Sequence, residues 1–160
     1  MSRLARIGFT VLTLSLGLAL AGCEGFDPTS IVTLRGKYDM VRGTNEDTDS
    51  PLPLMPAPRT TLEADFHAVG LGWAERAHAG VDVEISSKQT RLGQFDEPTD
   101  GYTLIGLDAG LARAIGSHPI RVDLRVRNLA NTRYTSFLSR YKAFALDPGR
   151  NILFKISADF

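Results

Sequence analysis

At 160 residues the chain is long enough for one domain, and its 18 basic residues balance 18 acidic ones, so charge points to neither nucleic acid nor an anionic surface. A single cysteine, Cys23, excludes an internal disulfide framework and any multi-cysteine zinc site. A hydrophobic fraction of 43% suits a soluble domain, but it also suits membrane strands that alternate apolar and polar residues, so pattern has to decide.

The chain opens on a basic start, Arg3 and Arg6, followed by an uncharged apolar run from Ile7 to Ala21. About 15 residues fit a secretory signal and fall short of a spanning helix. The run ends in Leu20-Ala21-Gly22-Cys23, which resembles the bacterial lipobox. That resemblance implies cleavage before Cys23 and lipidation of its thiol. Glu24 next to it implies onward sorting to the outer membrane. A plain signal peptide with an incidental cysteine, or an uncleaved helical anchor, is the alternative reading of the same residues. Two or more acyl chains would make a stable anchor, where one is marginal. Residues 1–22 are therefore expected to be a lipoprotein signal peptide and residues 23–30 a tether.

From residue 31 onward the periodicity is two. Val32, Leu34, Tyr38 and Met40 oppose Arg35, Lys37 and Asp39, with Gly36 on the apolar side. Leu62, Ala64, Phe66 and Ala68 oppose Glu63, Asp65 and His67, and Val81, Val83 and Ile85 oppose Asp82, Glu84 and Lys88. Thr103, Ile105, Leu107, Ala109 and Leu111 share a side, against Tyr102, Leu104, Gly106, Asp108, Gly110 and Ala112. The clearest case is Ile120, Val122, Leu124 and Val126 against Arg121, Asp123, Arg125 and Arg127: a helix would scatter these charges, whereas a strand separates them completely. Finally Ile152, Phe154, Ile156, Ala158 and Phe160 oppose Lys155, Ser157 and Asp159.

The pattern predicts an all-β fold, an antiparallel meander of about six long strands near 31–41, 60–71, 79–89, 101–113, 120–128 and 150–160. Strands of about 9 to 13 residues exceed the usual globular length and match the 9 to 11 or so that a tilted strand needs to cross a bilayer. The connections 42–59, 90–100 and 129–149 are long and polar, while 72–78 and 114–119 are short. That alternation fits a partial transmembrane β-barrel with long outer loops and short periplasmic turns. The first strand then starts on the periplasmic side, where a lipid on Cys23 would sit. Alternating strands also build soluble sandwiches, so a lipid-anchored periplasmic β-sandwich that binds a ligand or protein is the alternative.

Five stretches carry a family resemblance. Pro98-Thr99-Asp100-Gly101-Tyr102-Thr103-Leu104, Arg127-Asn128-Leu129-Ala130-Asn131-Thr132-Arg133-Tyr134 and Pro148-Gly149-Arg150-Asn151 before the terminal strand are similar to late barrel segments of TonB-dependent outer-membrane receptors. Tyr38 to Thr44 and Leu52 to Arg59 are similar to a strand-loop-strand unit upstream. The resemblance covers about residues 31–160, the C-terminal β-barrel portion. It implies the bacterial outer membrane, relation to uptake of siderophores, metals or vitamins, and a terminal Phe160 recognised by the barrel-assembly machinery. Such receptors have 22-stranded plugged barrels, so the chain is expected to be a truncated relative, not transport-competent alone. Its expected partners are outer-membrane lipid, the assembly machinery, and other barrel chains or a second copy.

No enzyme is expected. There is no H-E-x-x-H, no C-x-x-C and no phosphate loop. His67, His78 and His118 are scattered; His67 falls near Asp65 and Glu63 on the polar side, which reads as a solvated face rather than a metal site. Asp65, Asp82, Glu84, Asp108 and Asp123 fit a charged barrel lining better than hydrolytic carboxylates. No cofactor is expected. Tyr134, Phe137, Tyr141 and Phe144, with Arg133, Arg140 and Lys142, suit an interfacial girdle or an outer ligand-contacting loop, and Trp73 the periplasmic belt.

Overall fold

The computed structural model describes residues 8–16, 31–45 and 47–159, with backbone only for 8–16. Nine strands are assigned among them: β1 (Gly8–Leu16), β2 (Ile31–Arg42), β3 (Thr44–Asn45), β4 (Ser50–Pro51), β5 (Arg59–Val69), β6 (Arg76–Ser86), β7 (Tyr102–Ile115), β8 (His118–Arg127) and β9 (Asn151–Ala158). Seven form one antiparallel sheet in the order β1-β2-β5-β6-β7-β8-β9, while β3 and β4 make a small hairpin in the first long loop. The predicted all-β meander of long strands is what the sheet shows, and it is open rather than closed.

Register turns the alternation of single strands into a property of the whole sheet. Val32, Phe66, Ala79, Ala109, Leu124 and Phe154 are successive cross-strand partners over β2 and β5–β9, and Leu34, Ala64, Val81, Leu107, Val126 and Ile152 form the neighbouring row. Between them, on the opposite face, runs Thr33, Asp65, Gly80, Asp108, Arg125 and Leu153. A slip of one residue anywhere would put a charge into an apolar row, and that penalty fixes the pairing.

No second layer of described residues covers the apolar rows. Among the described residues the only fully buried hydrophobics are Ala68, Ala74 and Phe137. Leu124 is 42% exposed, Phe154 59% and Ile156 63%, while Val122 is half-buried. A water-soluble sandwich would seal these side chains against a facing sheet; here the sheet is single.

The connections sort by pole. Residues 70–75 and Gly116-Ser117 are short, and both lie at the pole where β2 begins and β9 ends. Gly116 has φ +65° and Ser117 does not share it, which is the demand of a two-residue II′ hairpin. The long connections 43–58, 87–101 and 128–150 gather at the other pole.

Most strand bounds lie one to three residues from those expected, and β6 lies three residues earlier at both ends. β6 begins at Arg76 rather than near 79, because Ala77-His78-Ala79-Gly80 keeps the strand's phase with side chains too small to show it. The apolar run 7–21, assigned to an export signal, contains β1, which pairs with β2 from Gly8↔Arg42 to Leu16↔Leu34. Pairing in the unprocessed chain does not bear on whether 1–22 is removed; in a chain starting at Cys23 the edge strand is β2.

Candidate functional site

The polar face carries a lattice of charge. Arg35 reaches across from β2 to Asp65 at 2.5 Å and Glu63 at 3.4 Å on β5. Arg59 on β5 lies 3.6 Å from Glu84 on β6, and Lys37 pairs with Asp39 along β2 at 2.9 Å. All are substantially exposed, so each adds little stability; their effect is to make this face hydrophilic. Glycines create the space they occupy. A Cβ at Gly80 would meet the carboxylates of Asp108 and Asp65, and one at Gly106 would strike that of Asp82.

The structure rearranges the histidine expected near Asp65 and Glu63. Those carboxylates belong to Arg35. His67 instead stands directly across from His78, its register partner, with ring centroids 6.1 Å apart. His78 lies over Gly110, where its Nε2 is 3.6 Å from Asp108 Oδ2 and 4.0 Å from Asp123 Oδ1. Ten residues separate the two histidines in sequence, so no local motif announces the pair; only the position of the 70–75 turn could have done so.

At the long-loop pole the connections bind one another. Arg91 donates to Gly43 O at 2.9 Å and to Thr44 Oγ1 at 2.6 Å; Gln89 donates to Met55 O at 2.7 Å; Asp96 accepts from Leu54 N and Gly93 N. Gly93 sits so close to the Leu52-Pro53 backbone that any Cβ there would overlap it. Lys142 lies 4.5 Å over the ring of buried Phe137 and donates to Glu97 O, tying the third loop to the second.

The asparagines of the Asn128-Leu129-Ala130-Asn131 segment do backbone work. Asn128 is buried at φ +52°; its amide donates to Thr132 O (2.9 Å) and Pro148 O (3.4 Å), and its Oδ1 accepts from Thr132 N at 2.8 Å. Asn131, at φ +54°, accepts from Arg150 N and so sets the start of β9. Asparagine tolerates the left-handed region better than other side chains and can close such turns itself. Beyond this latch Tyr134 packs against Tyr102, with ring centroids 4.5 Å apart and planes tilted by 44°. Burial raises the Tyr134 phenol above its ordinary value, with the Asp147 carboxylate adding to the effect. The two rings, with Arg59, Glu84, Arg125 and Asp147, line a cleft of about 740 Å³ on the polar face. Of the loop aromatics, Tyr141 and Phe144 project into solvent while Phe137 is buried, so the expected girdle divides into a core residue and a projecting pair. Trp73 projects from the short 70–75 turn. Cys23 and Phe160, the lipidation and assembly-signal candidates, lie outside the described residues. Among the described residues no helix is long and apolar enough to cross a membrane, and no group of three His, Cys, Asp or Glu side chains is arranged around a metal ion.

No family model matches the chain, and no curated protein matches it. A solved structure does: the copper transporter OprC superposes with a TM-score of 0.74 over 95% of this chain, at 20% identity. The chain has the fold of a segment of that transporter. It spans 23% of the transporter's length, and at this identity the likeness is one of fold.

Proposed function

We propose that the chain is an outer-membrane β-barrel segment related to TonB-dependent uptake receptors, of the siderophore, metal or vitamin class, and not an enzyme. The observation that carries this reading is the unbroken apolar face across β2 and β5–β9 with no layer over it. Such a face needs acyl chains, and the opposite face, lined with Arg, Asp, Glu and His, needs water. The segregation of short and long connections to opposite poles supports it. So does the fold shared with OprC, a copper transporter by name.

Transport by one copy is not part of the proposal. About eight strands are needed to close a barrel that side chains can fill. An open sheet in lipid leaves edge N–H and C=O groups unpaired at several kcal/mol each. The edge strands would therefore pair with further barrel strands. Cys23 would carry the lipid on the periplasmic side, and Phe160 would present the terminal signal to the assembly machinery.

The test is fractionation of cells expressing the full chain. The protein is expected to stay with the outer membrane through an alkaline carbonate wash and to migrate differently in detergent gels before and after boiling. Release into the wash without detergent would favour the lipid-anchored periplasmic reading instead.

A further inference from the structure

The geometry points to a transition-metal site made by His67 and His78, a cross-strand imidazole chelate on the polar face near the short-turn pole. Directly opposed residues of antiparallel strands hold their Cβ atoms about 5 Å apart, so two histidines there are pre-positioned for one ion. A metal–nitrogen bond is about 2 Å, which puts each ring centroid about 3.2 Å from the ion and limits two rings on one ion to about 6.4 Å between centroids. The observed 6.1 Å lies within that limit, and the rings are tilted by only 32°. Rotation about the side-chain torsions closes the remaining gap to the roughly 5 Å of a cis pair.

Three further observations belong to the same place. His78 Nε2 lies 3.6 Å from Asp108 and 4.0 Å from Asp123, inside the roughly 4.2 Å that separates two donor atoms on opposite sides of one ion. Gly110 is what lets the ring approach them, since a Cβ there would overlap both His78 and the Asp123 carboxylate. The rings also border an open cleft of about 300 Å³, so water can complete the coordination. No three of these groups already converge on one point, which makes the site a two-imidazole chelate with water and one carboxylate rather than a closed structural cage. Arg76 and Arg121 line the same cleft and lower its affinity for any cation. Imidazole nitrogen with open positions suits divalent copper best among the first-row ions, with nickel and zinc weaker.

This site depends on the β5–β6 register and not on the membrane reading. A chain that binds the ion but is released by the carbonate wash would count against that reading alone.

The experiment is titration of the full chain, folded in detergent with Cys23 alkylated, with cupric ion against a competing chelator, read by electron paramagnetic resonance. The wild-type spectrum is expected to show two coordinated imidazole nitrogens. His67→Asn and His78→Asn should each leave one nitrogen and weaken binding at least tenfold. Asp123→Asn should weaken it several-fold, and His118→Asn, at the first residue of β8 and on the side of Ile120 and Val122, should change neither quantity. A wild-type spectrum with one nitrogen or none overturns the assignment whatever the variants do. So does unchanged affinity in either His67→Asn or His78→Asn, or an equal loss in His118→Asn.

Discussion

Replacing Leu124 by arginine separates a lipid-facing sheet from a water-facing one. Leu124 stands in the row between Ala109 and Phe154, 42% exposed, six residues from the first residue of β8. A strand climbing about 3.4 Å per residue at a tilt near 40° gains roughly 2.6 Å of height per residue, so Leu124 stands about 16 Å above the short-turn pole. An apolar band about 25 Å tall has its midplane near 12 Å, which places Leu124 just beyond the middle. Arginine at that depth costs about 2–4 kcal/mol, a fall of roughly 30- to several-hundred-fold in the folded-to-unfolded ratio. If the same half-exposed position faced water, the change would stay within about 0.5 kcal/mol. Urea unfolding of the full chain in phospholipid vesicles, followed through Trp73, the single tryptophan, measures the difference. A shift below about 0.5 kcal/mol would refute the reasoning, because no layer of described residues shields the substitution in any other way.

Further outcomes follow from the loops. Asn128→Ala removes three hydrogen bonds and leaves alanine at φ +52°, so a loss of about 2–4 kcal/mol is expected in the same urea assay, and Asn128→Gly, which relieves the backbone part, should lose less. Gly93→Ala forces a methyl into the Leu52-Pro53 backbone; trypsin should then cut faster after Arg91 while circular dichroism of the sheet is unchanged. Because burial keeps the Tyr134 phenol neutral in the folded chain beyond its unfolded value of 10.0, the stability tied to it is full below that pH and falls as pH rises through the raised folded value. Tyr134→Phe should flatten that alkaline decline, measured as urea midpoints across the range.

The fold was legible because alternation is written into each strand separately. Ile120 to Arg127 places every apolar residue on one side and every charge on the other, and no context is needed to see it. Alternation weakened where side chains were small, so the start of β6 at Arg76 was missed. It was also silent about contacts between strands. His67 seemed to belong to Asp65 and Glu63, its neighbours in sequence, because register was unknown. The geometry of the 70–75 turn sets β5 against β6 so that 67 meets 78, and that number exists only once the hairpin is closed. Asn128 and Asn131 were visible as part of a family-like segment, yet their task, holding left-handed turns that position β9, depends on φ angles and on the Pro148 carbonyl twenty positions later. Pattern reports which side of a strand a residue takes; distance along the chain conceals which residue it meets.

Gly80, Gly106 and Gly110 all lie on the polar face, where neighbouring carboxylates and an imidazole fold down over them, while their counterparts in the apolar rows carry methyl groups or larger side chains. Bulk is thus distributed unequally through the thickness of the sheet. A wall thinner on its wet side bends toward that side with less crowding, and glycine positions are where strands take up such curvature. The hollows that receive the side chains therefore also leave room for curvature toward the polar face at the same three positions.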